Sequence, residues 1–333
     1  MNHAIDKTAV LVVGGAGYIG SHACKAIAAR GLLPVCFDNL STGHRELVNW
    51  GPLVVGDLGD RTALAQVFEQ YPISSVMHFA AHAYVGESVI DPAKYYGNNV
   101  ANTLNLLDCM RSAGVRAIVF SSTCATYGVP NSVPIREDHP QAPISPYGWS
   151  KLMVEQILKD YERAYGLRHA ILRYFNAAGA DPHGETGEWH DPETHLIPLV
   201  LDVAIGKRKL IEVFGADYPT DDGTCIRDYI HVTDLADAHL LALDAIQTTQ
   251  QSLICNLGNG HGFSVKEVIA GAERVTGVRI GISVSLRREG DPPVLVGDAS
   301  LARAALDWNP RFESIDAILA TAWAWHLRRV RQC

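Results

Sequence analysis

No CxxC pair and no other metal-ligand spacing occur among the seven cysteines, which stand at positions 24, 36, 109, 124, 225, 255 and 333. An odd set of thiols, several inside apolar runs, behaves as small hydrophobic side chains kept reduced, which excludes a disulfide framework and points to the cytoplasm. Long apolar runs are missing as well: nothing approaches the about 18 consecutive apolar residues that a membrane-spanning helix needs. Nor is there an excess of basic residues. Lys and Arg number 28 against 36 Asp and Glu, the net charge is −8, and the two signs are interspersed, so the chain offers no footprint for a nucleic-acid backbone. The opening MNHAIDKTAVLVVGG has no basic region ahead of its short apolar run, and that run ends in glycines; a strand is expected there, not a leader. Internal repeats and low-complexity tracts are lacking too. The fourteen histidines include three in one loop, His183, His190 and His195. They have no i, i+4 pair and no cysteine beside them, so hydrogen-bonding or solvated roles are expected and no metal.

What is present is a chain of 333 residues, 47% of them apolar, enough to bury about three-quarters of the unfolded surface in one large domain or two intimate ones. From residue 8 to about 175, short β-branched or apolar runs (TAVLVV, LPVCFD, SSVMHF, AIVFSS, AILRYF) alternate with segments of helical period at 18–30, 61–70, 91–113 and 145–165. That alternation predicts right-handed βαβ units and a parallel sheet. Ser145 is placed to cap the last of these helices, with Pro146 at its first position. Residues 177–195, AAGADPHGETGEWHDPETH, have no periodicity and mark a boundary. A first domain is expected over 1–176 and a second over 177–333, some of whose segments return to the first. The second includes helices near 198–204 and 234–246, a strand IEVF, and a closing amphipathic helix over 314–329.

GGAGYIG, residues 14–20, follows a strand and opens a helix. It holds GxGxxG at Gly15, Gly17 and Gly20, and GxxGxxG at Gly14, Gly17 and Gly20. Glycine there permits a tight turn and lets the backbone approach a pyrophosphate, which the helix N-terminus then faces. The next strand ends in Asp38, at the spacing of about 20 residues expected of a carboxylate that bonds the adenosine ribose hydroxyls. Such a carboxylate repels a 2′-phosphate, so NAD is expected and not NADP. Asp57, in GDL, either meets the adenine or caps a helix. Together these features predict an α/β fold: a Rossmann-type doubly wound parallel sheet with a smaller mixed α/β C-terminal substrate domain.

Tyr147 and Lys151 stand i, i+4 on one helix, with Cβ atoms about 5–6 Å apart. A tyrosine ionises near pH 10, and working as a base near pH 7 requires roughly 4 kcal/mol of phenolate stabilisation. One ammonium at about 4 Å supplies approximately that. A strand ending in Ser121, Ser122 and Thr123 precedes this helix, and its carboxyl end converges on the same crevice. Thr123 is therefore placed either to hydrogen-bond a substrate hydroxyl or to cap the strand end, while Tyr147 exchanges a proton.

With GGAGYIGSH, DNLSTGHR, GDLGDR, MHFAA, VGESV, YYGNNV, SSTCATYG, SPYGWSKLMVEQIL, LRYFNAAGA, DDGTCIRDYIHVTDLADAH, NLGNG and RREGDP taken together, the chain resembles the extended short-chain dehydrogenase/reductase superfamily. Within it, the likeness is to the UDP-glucose (UDP-galactose) 4-epimerases and runs over nearly the whole length. The resemblance implies tightly bound NAD and reversible C4 epimerisation of a UDP-hexose through a transient 4-keto sugar. It implies that Tyr18, Ile19, Asn39, Leu58, Phe79, Ala80, Asn98, Ser121 and Tyr174 join Gly14, Gly17, Gly20, Asp38, Asp57, Tyr147 and Lys151 around the cofactor. Asn176, His195, Leu196, Phe214, Arg227, Arg288, Asp291 and Leu295, with Thr123, would hold the UDP-sugar; otherwise the arginines pair with acids in their own motifs. A homodimer is implied, built from the helices 91–113 and 145–165.

Some positions depart from the family pattern. Val13 replaces a threonine, Ala83 a cofactor-contacting lysine, and His195 a substrate-binding asparagine. Leu295 has the intermediate bulk that implies weak acceptance of N-acetyl sugars. SSTCATYG and DGTCIRDYI also resemble the UDP-xylose/UDP-arabinose 4-epimerases. A sugar-nucleotide 4,6-dehydratase would need an acidic pair where Cys124 and Ala125 stand, and an NAD-sensing module would not need Thr123, Tyr147 and Lys151.

Overall fold

A computed structural model describes residues 8–288 and 290–332. These form two compact units. The first takes in the chain up to Gly128, then Gln141–Arg173 and Ala236–Ile254; the second takes in Val129–Pro140, Tyr174–Leu235 and the chain from Cys255 on. Among the described residues, no helix is long and apolar enough to cross a membrane.

In the first unit, strands β1 (Ala9–Val13), β2 (Leu33–Asp38), β3 (Leu53–Val55), β4 (Ile73–His78), β5 (Ala117–Thr123) and β6 (Arg168–Tyr174) line up with a seventh, Leu253–Leu257. Their order across the sheet is the seventh, then β6, β5, β4, β1, β2 and β3. β1 pairs in parallel with β2 and β4, β2 with β3, and β4 with β5. All five residues of β1, AVLVV, are buried, as a strand covered on both faces must be. Leu11, Phe37, Leu106, Ile118, Val154 and Ile171 belong to the resulting core. The chain order reverses between β1 and β4. This is the Rossmann-type switch point, where a doubly wound sheet opens a crevice beyond the carboxyl ends of its strands.

Three helices of this unit begin for different reasons. Tyr18–Ala29 starts directly from Gly17, with no side chain capping it. Arg61–Gln70 is capped by Asp60, which accepts the Thr62 and Ala63 N–H groups at 3.0 Å each. Pro146–Tyr165 is capped by Ser145, whose hydroxyl accepts the Gly148 N–H at 3.2 Å, and it ends at Gly166, where φ is +70°. The single regular helix expected over 91–113 is not what forms. Val85–Ile90 comes first, and the helix from Pro92 to Ser112 carries a widened π turn at Tyr96–Ala101. Such turns place a side chain that a regular helix could not. Here Asn99 accepts the His82 N–H, donates to the His82 carbonyl and donates to Ser150 Oγ, at 2.9–3.0 Å.

The second unit has three small sheets. Asn176–Ala178 pairs in parallel with Tyr229–His231, and Ile226–Arg227 lies between Phe263–Ser264 and Val294–Leu295. Ile282–Ser285 pairs with Ile211–Phe214. The helices Leu196–Ala204, Val265–Thr276 and Ile315–Gln332 surround a core that includes Val200, Val213, Val268 and Leu319. Val265–Thr276, which the sequence reading did not pick out, opens with a reciprocal Ser264–Glu267 capping box and closes on Gly277 at φ +72°.

Candidate active site

The glycine turn joins β1 to the helix Tyr18–Ala29 and lies against the backbone that follows β4. Gly14 has φ +81°, and a Cβ on it would lie 2.6 Å from the Ala80 backbone nitrogen. A Cβ on Gly20 would lie 2.1 Å from the Gly14 carbonyl oxygen. Packing explains those two. It does not explain Gly17, whose added Cβ would meet nothing closer than 3.4 Å. Gly17 instead borders the start of the helix Tyr18–Ala29, which no side chain caps; backbone N–H groups at a helix start suit an anion, and a side chain there would obstruct one. The cradle thus fits a dinucleotide pyrophosphate. Tyr18 is buried in the first turn and Ile19 half-buried beside it.

Asp38, buried at the end of β2, accepts the Ala16 N–H at 3.0 Å and the Leu40 N–H at 2.8 Å, one on each oxygen. Burial pushes its carboxyl above the ordinary range, against those two bonds. Each oxygen keeps a lone pair for a ribose hydroxyl, while an added phosphate would face a carboxylate. Asn39 donates to Asp57 at 2.7 Å, and Asp57 also accepts the Gly59 N–H at 2.7 Å. Asp57 therefore holds a turn, and Asp60 is the helix cap. Leu58 is buried in the core and offers the turn only its backbone. Phe79 and Ala80 follow β4 and both donate to the Val13 carbonyl, at 2.8 and 3.0 Å. Asn98 lies in the π turn, bonded to Asn99 at 3.0 Å, and Tyr174 closes β6.

Tyr147 stands in the first turn of its helix, half-buried, with its ring edge-on to Tyr95 at 6.5 Å. Lys151 is only 4% exposed; its Nζ donates to the Ser121 carbonyl at 2.9 Å and lies 4.9 Å from the Phe120 ring centre. Burial pushes this amine down to about 7, against the pull of Glu155. Thr123 ends β5 and its Oγ1 accepts the Ala125 N–H at 3.2 Å. The capping role is therefore real, and the hydroxyl still has its proton to donate.

In the second unit, some of the anticipated ligand residues meet across distant segments. Arg227 pairs with Asp291, 64 positions on, and not with the acids of its own motif. Leu295 is the register partner of Arg227, and Arg288 lies 4.0 Å over the Phe214 ring. Asn176 begins its strand by donating its N–H to the Asp228 carbonyl at 3.0 Å. His195 precedes the helix that Leu196 opens, and its Nδ1 faces Glu188. These residues offer a guanidinium pair and an aromatic face, a set suited to phosphate oxygens and a planar base.

Over residues 10–258, the chain matches the NAD dependent epimerase/dehydratase family. The chain belongs to this family. It is 54% identical over 320 residues to the UDP-glucose 4-epimerase of Rhizobium meliloti (strain 1021), covering 96% of this chain and 97% of that one. It is similar to the crystal structure of UDP-glucose 4-epimerase from Brucella ovis in complex with NAD. That likeness has 52% identity and a TM-score of 0.93, over 95% of this chain and 98% of that one. The UDP-glucose 4-epimerase from Bifidobacterium longum, in complex with NAD+ and UDP, is 37% identical with a TM-score of 0.93, over 98% of this chain and 100% of that one.

Sequence reasoning passed over several residues of this NAD dependent epimerase/dehydratase. Glu155, two turns beyond Tyr147, is fully buried; Arg173 of β6 grips it with two bonds of 3.0 and 2.6 Å, and Ser122 donates to it at 2.6 Å. Arg173 also donates to the Tyr127 hydroxyl at 2.9 Å. Ser150 donates to the Tyr147 carbonyl at 2.7 Å and accepts from Asn99, tying the tyrosine turn to the π turn. In the second unit, fully buried Asp228 accepts the N–H groups of Asn259, Gly260 and Gly297, at 2.7, 3.3 and 3.2 Å. The clue available was position: Glu155 continues the i, i+4 row of Tyr147 and Lys151, but a helical glutamate ordinarily faces water.

Proposed function

We propose that the chain is an NAD-dependent UDP-sugar 4-epimerase that interconverts UDP-glucose and UDP-galactose. The observation that carries this reading is the nearly end-to-end likeness to enzymes named UDP-glucose 4-epimerase, in a chain with a cradle for a dinucleotide and a tyrosine helix tied to the neighbouring strand end. With Gly14, Gly17, Gly20 and Asp38 holding it, NAD would supply reversible hydride transfer at the sugar C4. Tyr147 removes the C4 hydroxyl proton and later gives it back. Thr123 donates a hydrogen bond to the same oxygen, and Lys151 sets the acidity of the phenol and holds the nicotinamide ribose. Arg227, Arg288, Asp291, Asn176, His195, Leu196, Phe214 and Leu295 retain the UDP, so the diphosphate stays fixed while the sugar turns.

Purified protein given UDP-galactose and no added NAD is expected to form UDP-glucose, because the cofactor travels with the protein. Conversion of UDP-arabinose without conversion of UDP-galactose would move the assignment to a pentose enzyme. Tyr147→Phe is expected to keep its bound dinucleotide and lose turnover by about 10³-fold or more; an unchanged rate would remove Tyr147 from this role.

The partner that fits the surface of the first unit is a second copy. Trp149 and Met153, one turn apart on the tyrosine helix, are 43% and 40% exposed, and Val89 and Ile90 on the short helix before the π turn are 63% and 86% exposed. Exposed apolar side chains on helices mark an interaction surface, and a two-fold pair is the commonest assembly of like chains.

A further inference from the structure

The loop ahead of the helix Leu196–Ala204 folds four side chains onto one point. One donor atom from each of Glu188, His190, Glu193 and His195 lies within 4.8 Å of all the others. His190 Nδ1 is 3.3 Å from Glu188 Oε1 and 3.6 Å from Glu193 Oε2, while His195 Nδ1 touches Glu188 Oε1. A tetrahedral cation with bonds of about 2.0–2.1 Å spaces its ligands by about 3.3–3.5 Å. The two His190 separations lie at and just beyond that edge, while His195 and Glu188 stand closer than it, as hydrogen-bonded partners that a cation would have to part.

The arrangement is built, not incidental. Glu188 is buried, and its carbonyl accepts the Trp325 indole N–H at 2.9 Å. Glu193 spends Oε1 on the N–H groups of Thr194 and His195, at 2.8 and 2.9 Å, so Oε2 is the oxygen turned toward His190. Neighbours that orient a ligand in this way are typical of metal centres. The two imidazole rings stand 5.1 Å apart at 88°, edge to face and not stacked. Earlier in the loop, Asp181 accepts the N–H groups of His183 and Glu185 at 3.1 Å each, so His183 serves a different turn.

We propose that Glu188, His190, Glu193 and His195 bind one divalent transition-metal cation of the zinc type. Two carboxylates and two neutral imidazoles carry two negative charges, which one dication cancels. Imidazole nitrogen disfavours magnesium and calcium, and a mixed nitrogen and oxygen set at tetrahedral spacing favours zinc. All four positions come from the protein, so the site is closed and structural, not catalytic. It fastens the loop to the start of the helix Leu196–Ala204. With Nδ1 on the metal, the His195 ring presents only an Nε2 proton outward, making it a fixed hydrogen-bond donor.

The test uses full-length protein with any affinity tag removed. About one zinc per chain is expected by elemental analysis. After stripping with EDTA, zinc titrated back should bind at one site per chain and raise the thermal midpoint, and cobalt(II) should give the intense visible bands of a four-coordinate ion. His190→Ala and the milder Glu193→Gln should each weaken zinc binding by more than about 100-fold, since losing even an outer partner of a metal site costs 10–100-fold. Both should keep their full dinucleotide content, which shows that they fold. Metal far below one per chain, both as purified and after titration, would overturn the proposal. So would zinc binding to a folded His190→Ala as tight as to the parent.

Discussion

An amine only 4% exposed, with one backbone carbonyl at 2.9 Å, lacks most of the solvation its charge would have in water. An exposed lysine titrates at about 10.4, and burial pushes Lys151 down to about 7 in the folded chain. Between those values the unfolded chain holds a proton that the folded chain does not, so this group makes stability rise with pH across that window and penalises the fold most below it. Lys151→Met is therefore expected to stabilise dinucleotide-free protein, by on the order of 5 °C in thermal midpoint at pH 6 and by less at pH 9, while turnover is lost. A gain that is equal at the two pH values would show that the charge of Lys151 is not what the fold pays for. The i, i+4 spacing of Tyr147 and Lys151 is visible in the sequence because a helix has one period. The altered acidity is not, because desolvation depends on what packs over the amine.

The tyrosine helix is held to the sheet by ions as well as by apolar contact. Glu155 and Arg173 are both buried, and removing one takes from the other the opposite charge that balances it, which costs about 3–5 kcal/mol. Glu155→Leu should lower stability by that amount in a urea titration. Adding Arg173→Met should recover most of it, because the isolated charge then goes too. Additive losses in the double variant would contradict the pairing. Among the elements, those with strong periodicity or caps were legible: Ser145, Pro146 and Tyr165 bound the helix where expected. The helix expected at 91–113 was not legible in detail. Its π turn exists because Asn99 is pulled toward His82 and Ser150, and neither is its neighbour in sequence.

At the scale of the whole molecule, the exposed apolar face of Trp149, Met153, Val89 and Ile90 gives the proposed dimer a direct check. Light scattering should find twice the chain mass for the parent and a folded monomer for the double variant Trp149→Glu, Met153→Glu; a monomeric parent would rule the dimer out. The alternation of apolar runs and helical segments, the glycine turn, Asp38 and the YxxxK row are each written within a few dozen residues. Local backbone preference and periodicity need no knowledge of the rest of the chain, and so the α/β fold, the NAD cradle and the tyrosine helix could be read from the sequence alone. Only the tertiary structure decided that Arg227 meets Asp291 and that Arg173 meets Glu155. It likewise decided that Lys151 loses its water and that four residues of an aperiodic loop converge on one point. Those outcomes turn on which distant segments share a low-dielectric neighbourhood, and no spacing along the chain encodes that.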